Sequence, residues 1–362
     1  MITISLCMIV KNAEDTIGDC LASVRGLVDE IVVLDTGSTD STESIVRSYT
    51  DRIYRFAWID DFAAARNESF RYASCSHILW LDADDVLLEE DRGKLLELKQ
   101  TLSPDVDSVT MIYHYAFDEY GRVTVSLRRN RLIKRENGFR WHGAVHEYLA
   151  VSGKIEDSGI VVTHKRRHRQ GGRNLAIFER KLENGETLTS RDRFYYANEL
   201  TDNRHYEKAA AIYRELIEKN DGWSEDLLTS CGRLADICEA EGDDEEALRW
   251  ALHSFAYDIP RAEFCCRLGY RFLQENRLTQ AVYWYKLATE LRKPEQSWGF
   301  FNDACWTWLP HIQLCICYYR LGDYPEAYRH NEKARAYRPD DPAVLSNKAL
   351  LEGAFPHVFP PS

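Results

Sequence analysis

No apolar run in this sequence approaches the ~20 residues needed to cross a bilayer, which excludes a transmembrane helix. The apolar opening, residues 1–10, has no basic start and no small-residue cleavage site, and it runs straight into Lys11-Asn12-Ala13-Glu14-Asp15. It therefore reads as a buried first strand of a cytoplasmic protein, not as a secretory signal. The ten cysteines include no pair of Cys-x-x-Cys units, so neither a zinc site nor a disulfide framework is expected. Cys231 and Cys238, two helical turns apart, read as core neighbours. Positive charge is scarce overall: the net charge of −12 argues against nucleic acid as the main partner. Glycine is absent from Leu6 to Asn12, where a nucleotidyltransferase would carry a phosphate-binding loop.

What is present is core material, with 44% hydrophobic and 12% aromatic residues over 362 positions, enough for two domains. Residues 1–170 alternate short apolar runs with amphipathic segments. Strands are expected at 2–10, 30–34, 53–56 and 77–81, with helices at 13–25, 41–49 and 62–72. That order implies βαβ units and a mostly parallel sheet. Beyond residue 107 the stretches 108–115, 123–134 and 159–164 are β-rich, so the sheet is expected to finish as a mixed one.

Residues 174–358 read as a repetitive all-helical domain. Ala197, Ala235, Gly269 and Cys315 each precede an alanine by twelve positions, namely Ala209, Ala247, Ala281 and Ala327. The alanines step by 38, 34 and 46 residues, close to the ~34-residue tetratricopeptide unit. Such solenoids offer a surface to a peptide, a protein or a second subunit. The last interval carries an insert, 295–310, with Trp298, Phe300, Phe301, Trp306 and Trp308. It fits a binding face, a homodimer interface or packing between repeats.

The strongest chemical feature is Ile78-Leu79-Trp80-Leu81-Asp82-Ala83-Asp84-Asp85, a buried strand ending in three acids within four residues. Ligands of open α/β sheets bind at the carboxyl ends of strands. Paired carboxylates there suit a hard divalent cation, Mg²⁺ or Mn²⁺, shared with phosphate oxygens. The competing reading is that Asp84 or Asp85 merely caps a helix beginning near Glu89. A second strand ends in Asp35, followed by Thr36-Gly37-Ser38-Thr39-Asp40, where Asp35 is placed to bind a base or ribose or simply to order a βα turn. From Arg122 to Arg173 there are thirteen Lys/Arg against four Asp/Glu, a segment suited to a compact anion. Its last part, 165–173, is expected to be a loop that meets such an anion or a solvated linker.

Cys7-Met8-Ile9-Val10-Lys11-Asn12, Val33 to Asp40, Ala65-Arg66-Asn67 and Leu81 to Asp85, in this order, resemble family 2 glycosyltransferases of the GT-A fold over about residues 1–165. The resemblance implies an α/β Rossmann-like mixed sheet, a nucleotide-sugar donor such as a UDP-sugar, a divalent metal and inversion at the anomeric carbon. By motif, Ile9 and Glu14 would border the base and Asp35 would bind the nucleoside. Arg66 would reach the base or diphosphate, Asp82 and Ala83 the ribose or sugar, and Asp84 the metal, with His164 as a further metal ligand. Thr36 departs from the pattern, since many relatives carry an acid there. Phe139-Arg140-Trp141-His142-Gly143-Ala144-Val145-His146-Glu147 resembles an element of bacterial family 2 enzymes with tetratricopeptide repeats, some of which glycosylate peptides. An inverting transfer needs a base on the acceptor; Glu147 is the first choice, ideally in an apolar setting that raises its pKa, and His146 the second. The competing whole-chain readings are a repeat scaffold whose GT-A-like domain has lost catalysis, and a transferase acting on a glycan or lipid-linked acceptor.

Overall fold

A computed structural model describes residues 1–165, 172–294 and 301–354. The chain divides into two compact units, Met1–Glu199 and Leu200–Ser362.

The first unit opens with β1 (Ile4–Val10), α1 (Ile17–Ser23), β2 (Glu30–Asp35), α2 (Thr42–Arg47), β3 (Ile53–Arg55), α3 (Phe62–Arg71) and β4 (His77–Trp80). It continues with β5 (Asp85–Leu87), α4 (Glu89–Thr101), β6 (Ser108–Phe117), β7 (Val123–Lys134), β8 (Arg140–His142), β9 (Tyr148–Ala150) and β10 (Ile155–His164). Eight strands form one sheet in the order β3-β2-β1-β4-β7-β6-β10-β5, and β8 pairs with β9 in a separate hairpin. The first four are parallel and the join of β4 to β7 is antiparallel, so the sheet is mixed as expected. Strand β1 is buried on both faces: Ile4, Leu6 and Met8 enter one core, Cys7 another with Val32, Ile78 and Trp80. A strand covered on both sides loses polar alternation, which is why its sequence is a continuous apolar run.

The chain steps from β1 outward to β2 and β3, then returns to place β4 on β1's other side. That reversal opens a crevice at the carboxyl ends of β1 and β4, the position where open α/β sheets bind ligands. Register puts Val10 opposite Asp35 and Cys7 opposite Trp80, so the acid-bearing turns leave the same edge.

Three local expectations change. Residues 85–87 form a strand paired antiparallel with β10, because Val86 and Leu87 have a buried edge to fill. Helix α4 has Leu88 at its N-cap with no side-chain bond, so neither Asp84 nor Asp85 caps it. Helix α1 begins at Ile17 and not at 13, since residues 14–16 form a turn closed by Thr16 N–H donating to Ala13 O.

Helices α5 (Arg173–Glu183) and α6 (Ser190–Asp202) were expected to open the repeat domain at 174, yet the first compact unit runs through α5 and along α6 to Glu199. The second unit holds α7 (Tyr206–Glu218), α8 (Ser224–Glu241), α9 (Asp244–His253), α10 (Ala262–Gln274), α11 (Leu278–Glu290), α12 (Asp303–Trp306), α13 (Leu309–Leu321), α14 (Tyr324–Tyr337) and α15 (Pro342–Ala354). Its hairpins pack as the tetratricopeptide period requires. Ala235 meets Ala247, a Cβ on Gly269 would come within 2.8 Å of the Tyr285 ring, and Cys315 clusters with Ala327. All ten cysteines are free thiols, nine of them buried.

Of the aromatic insert, residues 295–300, including Trp298 and Phe300, lie outside the described residues. Phe301 is buried, Trp306 donates its indole N–H to Glu263 at 2.7 Å, and Arg338 lies over Trp308 at 4.3 Å. These three rings are thus used within the unit, which favours packing between repeats over an exposed face. Among the described residues no helix is long and apolar enough to cross a membrane.

Candidate active site

The first wall of the crevice is the turn after β2. Asp35 is buried, and its Oδ1 accepts from the backbone N–H groups of Gly37 (2.8 Å) and Ser38 (2.7 Å). This turn demands φ of +105° at residue 37, which glycine supplies without strain. Thr36, the departure from the acidic pattern, is buried, and its hydroxyl donates to Val10 O at 3.1 Å, tying β2 to β1. Ile9 is half-buried opposite Leu34. Glu14 is exposed, and its carboxylate accepts from Ser41 N–H at 2.9 Å, beside the start of α2. Asp35 and Glu14 therefore each serve the turn through one carboxylate oxygen.

The second wall carries the charge. Arg66, buried on α3, donates from Nε to Glu147 Oε1 and from Nη2 to Asp82 Oδ1, each at 2.6 Å. Its guanidinium also lies 4.9 Å from the Trp80 ring centre and 4.8 Å from that of Trp141, so two aromatic faces hold it where its planar fork can bridge two carboxylates. Three residues named from separate motifs meet here in one buried ion-pair group. Burial pushes the Asp82 carboxyl up, but Arg66 and Arg131 outweigh it and bring the group down to about 2, although its side chain keeps 32% exposure. Glu147 was expected in an apolar setting; it sits in an ion pair, the alternative that the many nearby arginines offered.

Behind this pair stands Arg131, with no exposed surface. It pairs with Asp85 Oδ2 at 2.9 Å, donates to Trp80 O at 3.3 Å and lies 3.9 Å from the Trp80 ring centre. The same Asp85 oxygen accepts from Asp82 N–H at 3.0 Å. Arg131 and Asp85 thus brace the turn Asp82-Ala83-Asp84, and Ala83 packs against the core beneath it. Arg131 belongs to none of the motifs that the sequence offered. The available signal was a strand, 123–134, carrying three arginines within four positions, with acids elsewhere to meet them.

Asp84, Asp85 and His164 bring one ligand atom each within 4.8 Å of one another. His164, at the end of β10, has Nδ1 3.4 Å from Asp84 and 3.3 Å from Asp85, with the Tyr113 hydroxyl at 2.9 Å and Tyr115 stacked on its ring. Burial lowers the His164 pKa, but the bond to Asp85 and the charges of Asp84, Asp85 and Asp82 win and raise it. Burial, helped by Asp82 and Asp85 and opposed by His164, raises that of Asp84. Two carboxylates and an imidazole form a donor set that fits a divalent cation of the Mn²⁺ or Mg²⁺ type.

His146 is turned to other partners: its Nε2 lies 2.7 Å from Glu199 and its ring stacks on Tyr195 at 4.2 Å. It holds φ of +52°, a left-handed value that reverses the chain just before Glu147. The basic loop 166–171 lies outside the described residues.

A mixed sheet with its acids gathered at the β1/β4 edge places the first unit in the α/β class. Residues 5–156 match the family described as Glycosyl transferase family 2, so the chain carries a family 2 domain at its N-terminal end. Over 150 residues it is 37% identical to the TPR repeat-containing protein Synpcc7942_0270 of Synechococcus elongatus, covering 41% of this chain and 36% of that protein. Over 147 residues it is 33% identical to the SPbeta prophage-derived glycosyltransferase SunS of Bacillus subtilis, covering 40% and 34%. The match thus spans about a third of each of these relatives. Among solved structures, YrrB, described as a TPR protein with an unusual peptide-binding site, aligns at 16% identity and a TM-score of 0.37 over 49% of this chain and 81% of that one.

Proposed function

We propose that the protein is an inverting glycosyltransferase that moves a sugar from a nucleotide-diphosphate donor, UDP in the first instance, to a peptide or protein side chain. The observation that carries this is the Arg66 group, in which one guanidinium holds both Asp82 and Glu147 beside the Asp84, Asp85 and His164 cluster. Asp35 would receive the nucleoside through its second oxygen, with Ile9 and Glu14 bordering the base. Asp82 would face the ribose or sugar. Arg66 orients Glu147 through Oε1, leaving Oε2 as the oxygen that takes the acceptor's proton while its nucleophile attacks the anomeric carbon and the nucleoside diphosphate departs. Asp84 and His164 would hold a divalent cation, which when bound supplies positive charge against the leaving diphosphate. The acceptor class rests on the repeat unit together with the repeat-bearing relative.

The test is metal-dependent hydrolysis or transfer with a panel of nucleotide sugars, read by mass spectrometry. Asp84→Ala is expected to lower the rate by about 10²-fold or more. Unchanged turnover in that variant would sink the assignment. Glu147→Gln should lower transfer while leaving donor binding in place; equal loss of both would reassign Glu147 to structure.

A further inference from the structure

The repeat unit contains a basin of about 490 Å³ between α11, α13 and α14, lined among others by Lys286, His311, Arg329, His330 and Lys333. Nothing in the transfer reaction uses it. We propose that this basin is a binding site for a compact phosphoryl-type anion, whether a free phosphate ester or a phosphorylated group.

Its cations are unevenly matched. Arg329 pairs with Glu326 on its own helix, whereas the ammonium groups of Lys286 and Lys333 form no ion pair among the described residues. Glu290 also lines the basin, and Glu326 approaches His330 Nε2 at 3.8 Å, so the acids facing it are two against three fixed cations. His330 is 2% exposed and stacked on Tyr318, and its Nδ1 is 3.0 Å from that of His311.

The hydrogen-bond order gives this pair a direction. Arg329 Nη2 lies 3.4 Å from His330 Nε2, and since a guanidinium only donates, that nitrogen accepts. Neutral His330 then carries its proton on Nδ1 and donates to His311 Nδ1. His311 is left with its own proton on Nε2, a donor from a residue that shares the basin lining with the two lysines.

The electrostatics agree. Burial first, then Lys333 and Arg329, push His311 down to about 4; burial, His311, Arg329 and Lys333 push His330 down to about 3, with Glu326 opposing. Burial, with the basin's positive charge added to it, thus keeps both imidazoles neutral, and a bound anion would offset the part that the cations contribute. A dianion suits three fixed cations and one imidazole donor better than a single carboxylate does, because each of its oxygens can take a separate charge-assisted bond.

Two predictions separate this site from a merely solvated basic surface. The imidazole Cε1–H signals of His311 and His330, followed by NMR on the full chain, should shift saturably with inorganic phosphate and with sulfate. Lys333→Ala and Lys286→Ala, both at exposed positions, should each weaken that response by about tenfold. Sulfate keeps its charge between pH 8 and pH 5.5, so its affinity should rise as pH falls across that range if anion binding draws protons onto the pair. A phosphoserine peptide that binds at least tenfold tighter than inorganic phosphate would assign the source to a phosphorylated group; equal or weaker binding would assign it to a free phosphate ester. Signals that stay fixed to about 20 mM anion overturn the site, as do shifts reproduced by chloride at equal ionic strength or shifts unchanged in the lysine variants. Because the readout is local to the two imidazoles, failure of the transferase reading would leave this result untouched.

Discussion

In the N-terminal unit, charge is buried where strands end; in the C-terminal unit, the helix crossings are filled by alanine, glycine, cysteine and tyrosine. Arg131 and Asp85 have fully buried side chains, and Arg66 reaches its acids with 9% exposure. The crossings at Ala235/Ala247 and Gly269/Tyr285 are made by these small and aromatic side chains, whereas charged pairs elsewhere in the unit range from half-exposed, Arg335–Glu332, to largely buried, Arg261–Glu225. The histidine at the acidic site differs from the pair in the repeats: acids raise the pKa of His164, whereas burial and cations lower those of His311 and His330, as burial and Lys134 do for His77 away from the site. The difference separates two uses of a core. Packing that only has to hold a period can be apolar, whereas a site must carry buried charge and brace it.

The sharpest way to break the contrast is to remove a brace. Arg131→Met would leave Asp85 buried without its partner and should destabilise the first unit by about 3–5 kcal/mol. Denaturant unfolding should show the first unit's transition moving alone, because the two units need not unfold together. Pairing it with Asp85→Asn should restore much of the loss, since the uncompensated charge is gone. Arg335→Met, which removes a half-exposed pair, should cost about 1 kcal/mol or less. Equal effects from the two arginines would erase the distinction.

This contrast also explains what the sequence disclosed. The repeat period was legible because its contacts are local: small residues meet alanines twelve positions on, within one hairpin. The alternation of strands and helices, and the acids at the ends of β2 and β4, were legible for the same reason. The Arg66–Glu147 pair spans 81 positions and the Arg131–Trp80 contact 51, so no spacing rule could join them. Motif order named Asp82, Arg66 and Glu147 separately; only the fold shows one guanidinium shared between two carboxylates. Arg131 escaped notice because a buried arginine in a strand looks like any other member of a basic run. Strand β5 was missed because three residues beside an acidic turn give no alternation to read.

A smaller effect should separate the units by pH. Unfolded histidine takes a proton near pH 6.5, but His330 and His311 in the folded unit resist until about 3 and about 4. The unfolded state therefore binds more protons between those limits, so stability is full above pH 6.5 and falls as pH drops. Each group contributes a slope of about 1.4 kcal/mol per pH unit. At pH 5 the pair should cost the second unit about 2–4 kcal/mol relative to pH 7. His330→Leu should remove about half of that slope, measured as the urea midpoint of the second unit at both pH values. An unchanged slope would place the acid sensitivity in other groups.

The finest test lies between two glycines of the repeat unit. Gly269 lies inside α10, where an added Cβ would come within 2.8–2.9 Å of three Tyr285 ring atoms, and Tyr285 is 1% exposed with little room to retreat. Gly269→Ala should therefore cost about 1–3 kcal/mol by overpacking. Gly232, inside α8, offers its added Cβ ordinary contact with the Phe264 ring at 3.6 Å. There alanine restricts the unfolded chain and suits the helix, so Gly232→Ala should stabilise the unit by about 0.5–1 kcal/mol. The two substitutions are chemically identical and sit in the same kind of helix, so their opposite signs isolate the close approach that the small residue at this repeat position provides. If Gly269→Ala stabilised as Gly232→Ala does, the glycine at this repeat position would not be set by the close approach of the Tyr285 ring across the two helices.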